Sequence, residues 1–127
     1  MTPNDRKFTK THEWVKIDGD RALVGISDHA QDSLGDITFV ELPSVGKKMT
    51  TGKACCVIES VKAASDINAP VSGEIASVNR DVQSQPEIIN KDPYGKGWIF
   101  TLKDFSKADL DGLMDSKSYE AFVSSEA

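Results

Sequence analysis

The chain has 127 residues, 39% hydrophobic and 28% charged, a balance that fits one globular unit with its own core. No apolar run approaches the roughly 20 residues needed to span a bilayer. Fifteen basic against twenty acidic side chains give a net charge of -5 with no Lys/Arg block, which disfavours nucleic-acid and membrane partners and favours proteins with basic docking faces.

Met1–Lys7 lacks the apolar stretch of a signal peptide, and Asp5 comes too early for a transit segment. The plain expectation is a cytoplasmic protein of bacterial type; a processed mitochondrial form would read the same. Trp14-Val15-Lys16-Ile17 alternates, Asp18-Gly19-Asp20 turns, and Arg21 to Ile26 returns, predicting a hairpin. Asp28 with Gln31 three residues on reads as a capping box for a short helix that Gly35 stops after Leu34. Strands are expected over 36–42, 48–50, 54–59, 65–69, 73–79 and 97–102, short and evenly spaced, as in a small β-sandwich or barrel. Gly35-Asp36-Ile37-Thr38-Phe39-Val40 and Gly73-Glu74-Ile75-Ala76-Ser77-Val78 share the order Gly-acid-Ile-x-x-Val, which suggests two related half-sheets.

The period then changes. Ser106 with Asp109 caps an expected helix carrying Leu110, Leu113 and Met114, and Ser116 opens a second with Tyr119, Phe122 and Val123 on one side. Residues 124–127 are expected to fray. The organisation expected is therefore one domain over 1–127, with a hairpin core over about 20–102 and a helical cap over about 106–124.

Between the two central arms sits Lys62, flanked by the small residues Ser60, Ala63, Ala64 and Ser65. This pattern describes a hairpin tip that holds out one amine for acylation by an enzyme needing clear access. Glu59 and Asp66 are positioned to orient the amine or to be read by a modifying enzyme; the plainer reading is charge balance at a soluble tip. Cys55 and Cys56 are adjacent, so strand alternation sends them to opposite faces and disfavours a bridge. No further cysteine completes a metal or redox site. His12 and His29, with Glu13, Asp28 and Asp32 nearby, fit no metal-ligand spacing. His29 is expected on the exposed side of the short helix, and Trp14 and Trp98 in the core.

The stretch Glu59-Ser60-Val61-Lys62-Ala63-Ala64-Ser65-Asp66, followed by Ala69-Pro70-Val71-Ser72-Gly73-Glu74, resembles the H-protein family of the glycine cleavage system. So do Thr11-His12-Glu13-Trp14-Val15, Val24 to Gln31, Leu34-Gly35-Asp36, Phe39 to Pro43 and Asp92-Pro93-Tyr94-Gly95 through Trp98, in the family's order and over about residues 7–123. Cys56 stands where small residues are common in the family.

The resemblance implies a mainly β fold: a two-sheet sandwich or flattened barrel of the lipoyl/biotinyl-carrier kind (a barrel-sandwich hybrid), with one internal helix and C-terminal helices. It implies that Lys62 carries lipoate, with Glu59, Ser60, Val61, Ala63 and Asp66 read by the modifying enzyme. Glu13, Ile26, Ser27 and Asp66 are candidates for a cleft sheltering the arm. The implied partners are the pyridoxal-phosphate-dependent glycine decarboxylase (P protein), the tetrahydrofolate-dependent aminomethyltransferase (T protein), dihydrolipoamide dehydrogenase (L protein) and a lipoate ligase or octanoyl/lipoyl transferase. The chain would be a monomeric, non-catalytic carrier of the aminomethyl group of glycine. Three other readings remain: an H-like protein relaying lipoate to other enzymes, a biotin carrier, and a redox or metal-dependent enzyme. The biotin reading is weakened by Val61 and Ala63, where that family places methionines.

Overall fold

The expected first hairpin forms, and it sets the frame for the rest. The structure, a computed structural model, describes residues 2–126. In chain order the strands are β1 (Lys7–Phe8), β2 (Glu13–Asp18), β3 (Arg21–Ile26), β4 (Ile37–Glu41), β5 (Lys48–Met49), β6 (Ala54–Ser60), β7 (Ala64–Asn68), β8 (Gly73–Val78) and β9 (Phe100–Lys103). The helices are α1 (Asp28–Leu34), α2 (Arg80–Ser84), α3 (Glu87–Lys91), α4 (Lys107–Leu110) and α5 (Ser116–Glu126). A six-stranded antiparallel sheet in the order β1-β2-β3-β9-β8-β5 faces a three-stranded one in the order β4-β6-β7. The architecture is mainly β, as expected.

Alternation drives the packing. Val15, Val24, Ile26, Val40, Ile58, Ile67, Ile75 and Leu102 turn to one core shared by both sheets. A second cluster of Phe8, Trp14 and Tyr119 joins β1, β2 and α5, with Trp98 packed against it half-buried. Trp14 lies directly across Gly25 in the β2–β3 register. A Cβ at Gly25 would fall 2.6 Å from the indole, so only glycine lets the ring lie flat across the strand. The indole N–H donates to the Pro93 carbonyl at 3.0 Å, and the Arg6 guanidinium covers the ring at 4.6 Å.

Several expectations are corrected. The sheet core reaches back to Lys7 rather than beginning near residue 20. The stretch before Gly97 holds two one-turn helices, α2 and α3; Asn79 caps the first by accepting from the Asp81 N–H. The last strand begins at Phe100 instead of Gly97, because Gly97 and Trp98 are held in a turn by their N–H bonds to Asp92 and Gly95.

In the C-terminal segment α4 is a single turn, and Leu113 and Met114 lie beyond it. Met114 bridges to Phe8, exchanging both backbone hydrogen bonds with it, which holds the chain extended where the apolar spacing suggests helix. Helix α5 runs past Val123 to Glu126, beyond the expected end of the helical cap near residue 124; Ala127 lies outside the described residues.

The cap of α1 is Ser27, not Asp28: the Ser27 hydroxyl accepts from the Ala30 N–H, while Asp28 accepts from the Gln31 side chain at 2.9 Å. At Cys55 a bulge breaks the alternation, since Ala54 pairs Asn68 but Cys56 pairs Ile67. Both cysteines therefore pack toward the core, Cys56 buried and Cys55 half-buried with its thiol on the Ile67 carbonyl, and both are free thiols. The Cys55 thiol beside it and burial push the Cys56 thiol well up, away from the reactive thiolate.

Candidate functional site

Lys62 stands at the tip of the β6–β7 hairpin, and Ser60 builds the turn that holds it there. The Ser60 hydroxyl accepts from the N–H of both Lys62 and Ala63 at 3.2 Å, and the Ser60 N–H donates to the Ala63 carbonyl at 2.8 Å. The Val61 N–H donates to the Asp36 carbonyl at 3.0 Å, tying the tip to the loop after α1. Val61, Lys62, Ala63 and Ala64 are all exposed, so the small residues do leave the amine clear.

The lysine stem lies over Gly35. A Cβ there would sit 3.3 Å from Lys62 Cε, and Gly35 has φ +79°, a conformation that favours glycine. Asn90 on α3 fixes this floor. Its amide N–H₂ donates to the Gly35 carbonyl and to Gln31 Oε1, both at 2.9 Å, and its oxygen accepts from the Ile37 N–H at 2.9 Å. One side chain thus joins the end of α1, the start of β4 and the platform beneath Lys62. Sequence reading misses it because α3 is a short helix with weak periodicity; the polar Asn90 directly after buried Ile89 is the available signal.

Glu59 and Asp66 are exposed, and among the described residues neither forms an ion pair with Lys62. The register places Glu59 beside Phe39 and Ala64, and Asp66 beside Val57 and Glu41, on the sheet face turned away from the core.

A groove of about 260 Å³ opens beside the tip. Ser33 and Leu34 of α1 lead to it from Gly35; Ala30 and His29 continue along the helix. Ile26 closes the end of β3, Ser65 and Ile67 of β7 form the opposite wall, and Thr11 and His12 the far end.

Of the cleft candidates, Ile26 lines this groove. Glu13, at 1% exposure, and fully buried Ser27 lie one layer behind it, and Asp66 faces the other way. Ser65 takes the place expected for Asp66. Once Ile67 is inward, residues of the same parity on β7 must be inward too.

The buried layer is fully hydrogen-bonded. Glu13 accepts from the hydroxyls of Thr9 at 2.6 Å and Thr11 at 2.5 Å, and from the Asn68 N–H at 3.2 Å. Burial nonetheless raises its pKa above the ordinary 4.5, against the pull of those bonds. Tyr119 Oη meets Ser27 Oγ at 2.6 Å and His12 Nδ1 at 2.8 Å. Helix α5 is therefore pinned to the back of the groove, a junction of residues more than ninety positions apart that no local pattern announces.

His29 is half-buried in the groove wall, its ring 4.8 Å from that of His12, rather than on the exposed side of α1. His12 adopts a left-handed φ of +76°, which turns its ring into this cluster. Among the described residues no group of three or more His, Cys, Asp or Glu is placed to hold a metal ion.

An exposed lysine on a tight hairpin beside a mostly apolar groove is a geometry for presenting a covalent arm. The glycine cleavage H-protein family model matches residues 6–126. A glycine cleavage system H protein of Thermus thermophilus is 55% identical over 125 residues, covering 98% of each chain. One from Acinetobacter baumannii is 52% identical over 119 residues, covering 94% of this chain and 96% of its own. The crystal structure of a glycine cleavage system H protein from Mycobacterium marinum superposes with a TM-score of 0.84 at 37% identity, covering 94% of this chain and 96% of that one. Sequence and fold agree along nearly the whole length: the chain belongs to the glycine cleavage H-protein family.

Proposed function

We propose that Lys62 carries lipoate through an amide, and that the chain is a non-catalytic carrier of the aminomethyl group of glycine. It would carry that group from the glycine decarboxylase to the tetrahydrofolate-dependent aminomethyltransferase and then meet dihydrolipoamide dehydrogenase. The observation that carries the reading is Lys62 itself: exposed, in no ion pair among the described residues, and lying over Gly35, next in the chain to the groove-lining Leu34. When bound, lipoate supplies a redox-active dithiolane on an arm of about 12 Å by ordinary bond lengths.

The chain's own residues supply position. Ser60 fixes the turn, Asp36 anchors Val61, and Asn90 holds the platform. Ile26, Leu34 and Ile67 give the groove apolar walls that exclude water from whatever enters. Glu13 sets a buried carboxyl behind Thr11 and holds that residue at the groove's far end. Ser27 holds the start of α1, so its part in the cleft is to place His29 and Ala30.

Intact mass tests the attachment. Protein from a lipoate-competent host should gain the mass of one lipoyl group, and Lys62→Arg should not; unmodified wild-type protein would refute the reading. Reconstitution with the three enzymes tests the cargo: glycine-dependent carbon dioxide exchange is expected, and its absence from fully lipoylated protein would favour the lipoyl-relay role.

A further inference from the structure

We infer that the outer face of the three-stranded sheet, centred on Phe39, docks the enzyme that acylates Lys62, and that this enzyme offers an apolar pocket rimmed by basic side chains. The inference rests on the reading of Lys62 as the lipoyl site.

Phe39 is 46% exposed, unusual for a strand aromatic, and the backbone puts it there. Ile37 pairs Ser60 but Phe39 pairs Glu59, so a bulge at Thr38 shifts the register of β4 and re-aims the ring. The Thr38 hydroxyl donates to the Glu59 carbonyl at 3.3 Å, holding the bulge against β6. Cross-strand pairing then sets Phe39, Glu59 and Ala64 in one row and Glu41, Val57 and Asp66 in the next. All six are exposed or half-exposed, and Val61, 67% exposed, adds an apolar side chain at the tip.

The charge on this face is of one sign. β4, β6 and β7 contain Glu41, Glu59 and Asp66 and no lysine or arginine, and among the described residues none of the three acids is in an ion pair. An exposed aromatic ringed by unneutralised carboxylates is complementary to an apolar pocket with a basic rim.

Reach selects the occupant. An enzyme acting on the far end of the arm can work about 12 Å from Lys62. The acylating enzyme has no arm to hold and must bring Nζ into its own active site. Phe39 lies beside Glu59, two to three strand residues from the tip, or roughly 7–10 Å. A standard interface covers about 800 Å² per partner, so a surface seated on Lys62 reaches Phe39.

The test measures acylation of the apo chain by a purified lipoate–protein ligase with ATP and lipoate. In that reaction Nζ, its proton lost to solvent, attacks the carbonyl carbon of lipoyl-adenylate. The C–N bond forms and the mixed-anhydride C–O bond breaks, with AMP leaving. Phe39→Ala should lower kcat/KM for the apo chain about 10- to 30-fold through KM, and weaken binding of the apo chain to the ligase by a similar factor. Phe39→Leu should recover part of the loss. Glu41→Lys should cost about tenfold at low salt and less as salt rises. Val45→Ser, at an exposed residue outside the three-stranded sheet, should change nothing.

Wild-type rates for Phe39→Ala and Glu41→Lys, with wild-type protein lipoylated normally, would overturn the docking inference and leave the lipoyl reading intact. So would normal acylation with a loss only at a later partner, which would assign the face to that partner. A wild-type chain that never accepts lipoate would overturn both.

Discussion

The two sheets of this protein have opposite electrostatic designs. The six-stranded sheet carries Lys7, Lys16, Arg21, Lys48 and Lys103 against Glu13, Asp18 and Glu74, and several of its charges are compensated. Lys103 meets Glu74 at 3.4 Å, Lys16 meets Asp5 at 3.4 Å, and Arg21 meets Asp20 at 3.1 Å. The three-stranded sheet carries three acids and no base, together with an exposed aromatic. The first is built to hold a shape, with its aromatic cluster closed over Gly25 and fastened by α5. The second leaves its acids outside any ion pair among the described residues, and a lone cation, Lys62, stands at the tip of its hairpin. Acylation of Lys62 removes that cation, so the modified tip is more acidic than the unmodified one.

Substitutions should separate the two sheets by their phenotype. The largest effect is expected at the tip. Lys62→Ala should abolish lipoyl incorporation and glycine-dependent exchange outright while leaving the free energy of denaturant unfolding within about 0.5 kcal/mol, because an exposed side chain with no ion pair among the described residues adds little to stability. A large loss of stability in this variant would show that the stem's packing over Gly35 is structural rather than a matter of presentation.

The reverse pattern is expected on the six-stranded sheet. Gly25→Ala places a methyl group 2.6 Å from the Trp14 indole, which must leave its seat, and should cost about 3 kcal/mol in chemical denaturation. Whatever fraction remains folded should still be lipoylated, since Lys62 lies on the other sheet. Asn90→Ala falls between the two classes. It frees the buried Ile37 N–H and the Gly35 carbonyl and should cost about 2 kcal/mol. It should also slow acylation at temperatures where the protein remains folded, because the platform under Lys62 loosens. Normal acylation of folded Asn90→Ala would limit Asn90 to a structural role.

Much of this division is legible in the sequence, in physically uneven ways. Alternation and turn residues mark most of the strands, because a half-buried strand writes its two faces at every second residue. The echo between Gly35–Val40 and Gly73–Val78 has a structural counterpart. β4 and β8 lie in different sheets, yet each has a bulge directly after its isoleucine, between Ile37 and Phe39 and between Ile75 and Ser77. Lys62 stands out because small residues on a tight turn are a local signal. The groove is not local: it needs Thr11, Ile26, His29 and Ser65 from four separate segments, backed by Tyr119 from a fifth. The misplacement of Asp66 has a simpler cause, since its parity relative to buried Ile67 sends it outward. Met114 misleads because its apolar spacing fits a helix, whereas its backbone is committed to Phe8.

The smallest expected effect concerns the one buried acid of the six-stranded sheet, and it tests whether the groove's back wall holds a real charge. Burial raises the Glu13 pKa above its unfolded value of 4.5, so the folded state binds its proton more tightly than the unfolded state does. The resulting contribution to stability is fully present below pH 4.5 and is lost as pH rises through the folded value. Glu13→Gln keeps an oxygen for the Thr9 and Thr11 hydroxyls but sets an N–H₂ against the Asn68 N–H, at a cost of about 1 kcal/mol under acid conditions. Thermal unfolding of both proteins from pH 4 to pH 8 should show wild type losing its advantage over Glu13→Gln as pH rises, then a plateau where the carboxylate is ionised. A pH-independent difference would mean that folding leaves the Glu13 pKa where it is in the unfolded chain, and a decline with no plateau by pH 8 would mean that Glu13 stays protonated when folded. An advantage that grew with pH would mean that its hydrogen bonds outweigh burial. Only a decline that levels off fits a buried carboxylate that ionises within this range despite its desolvation.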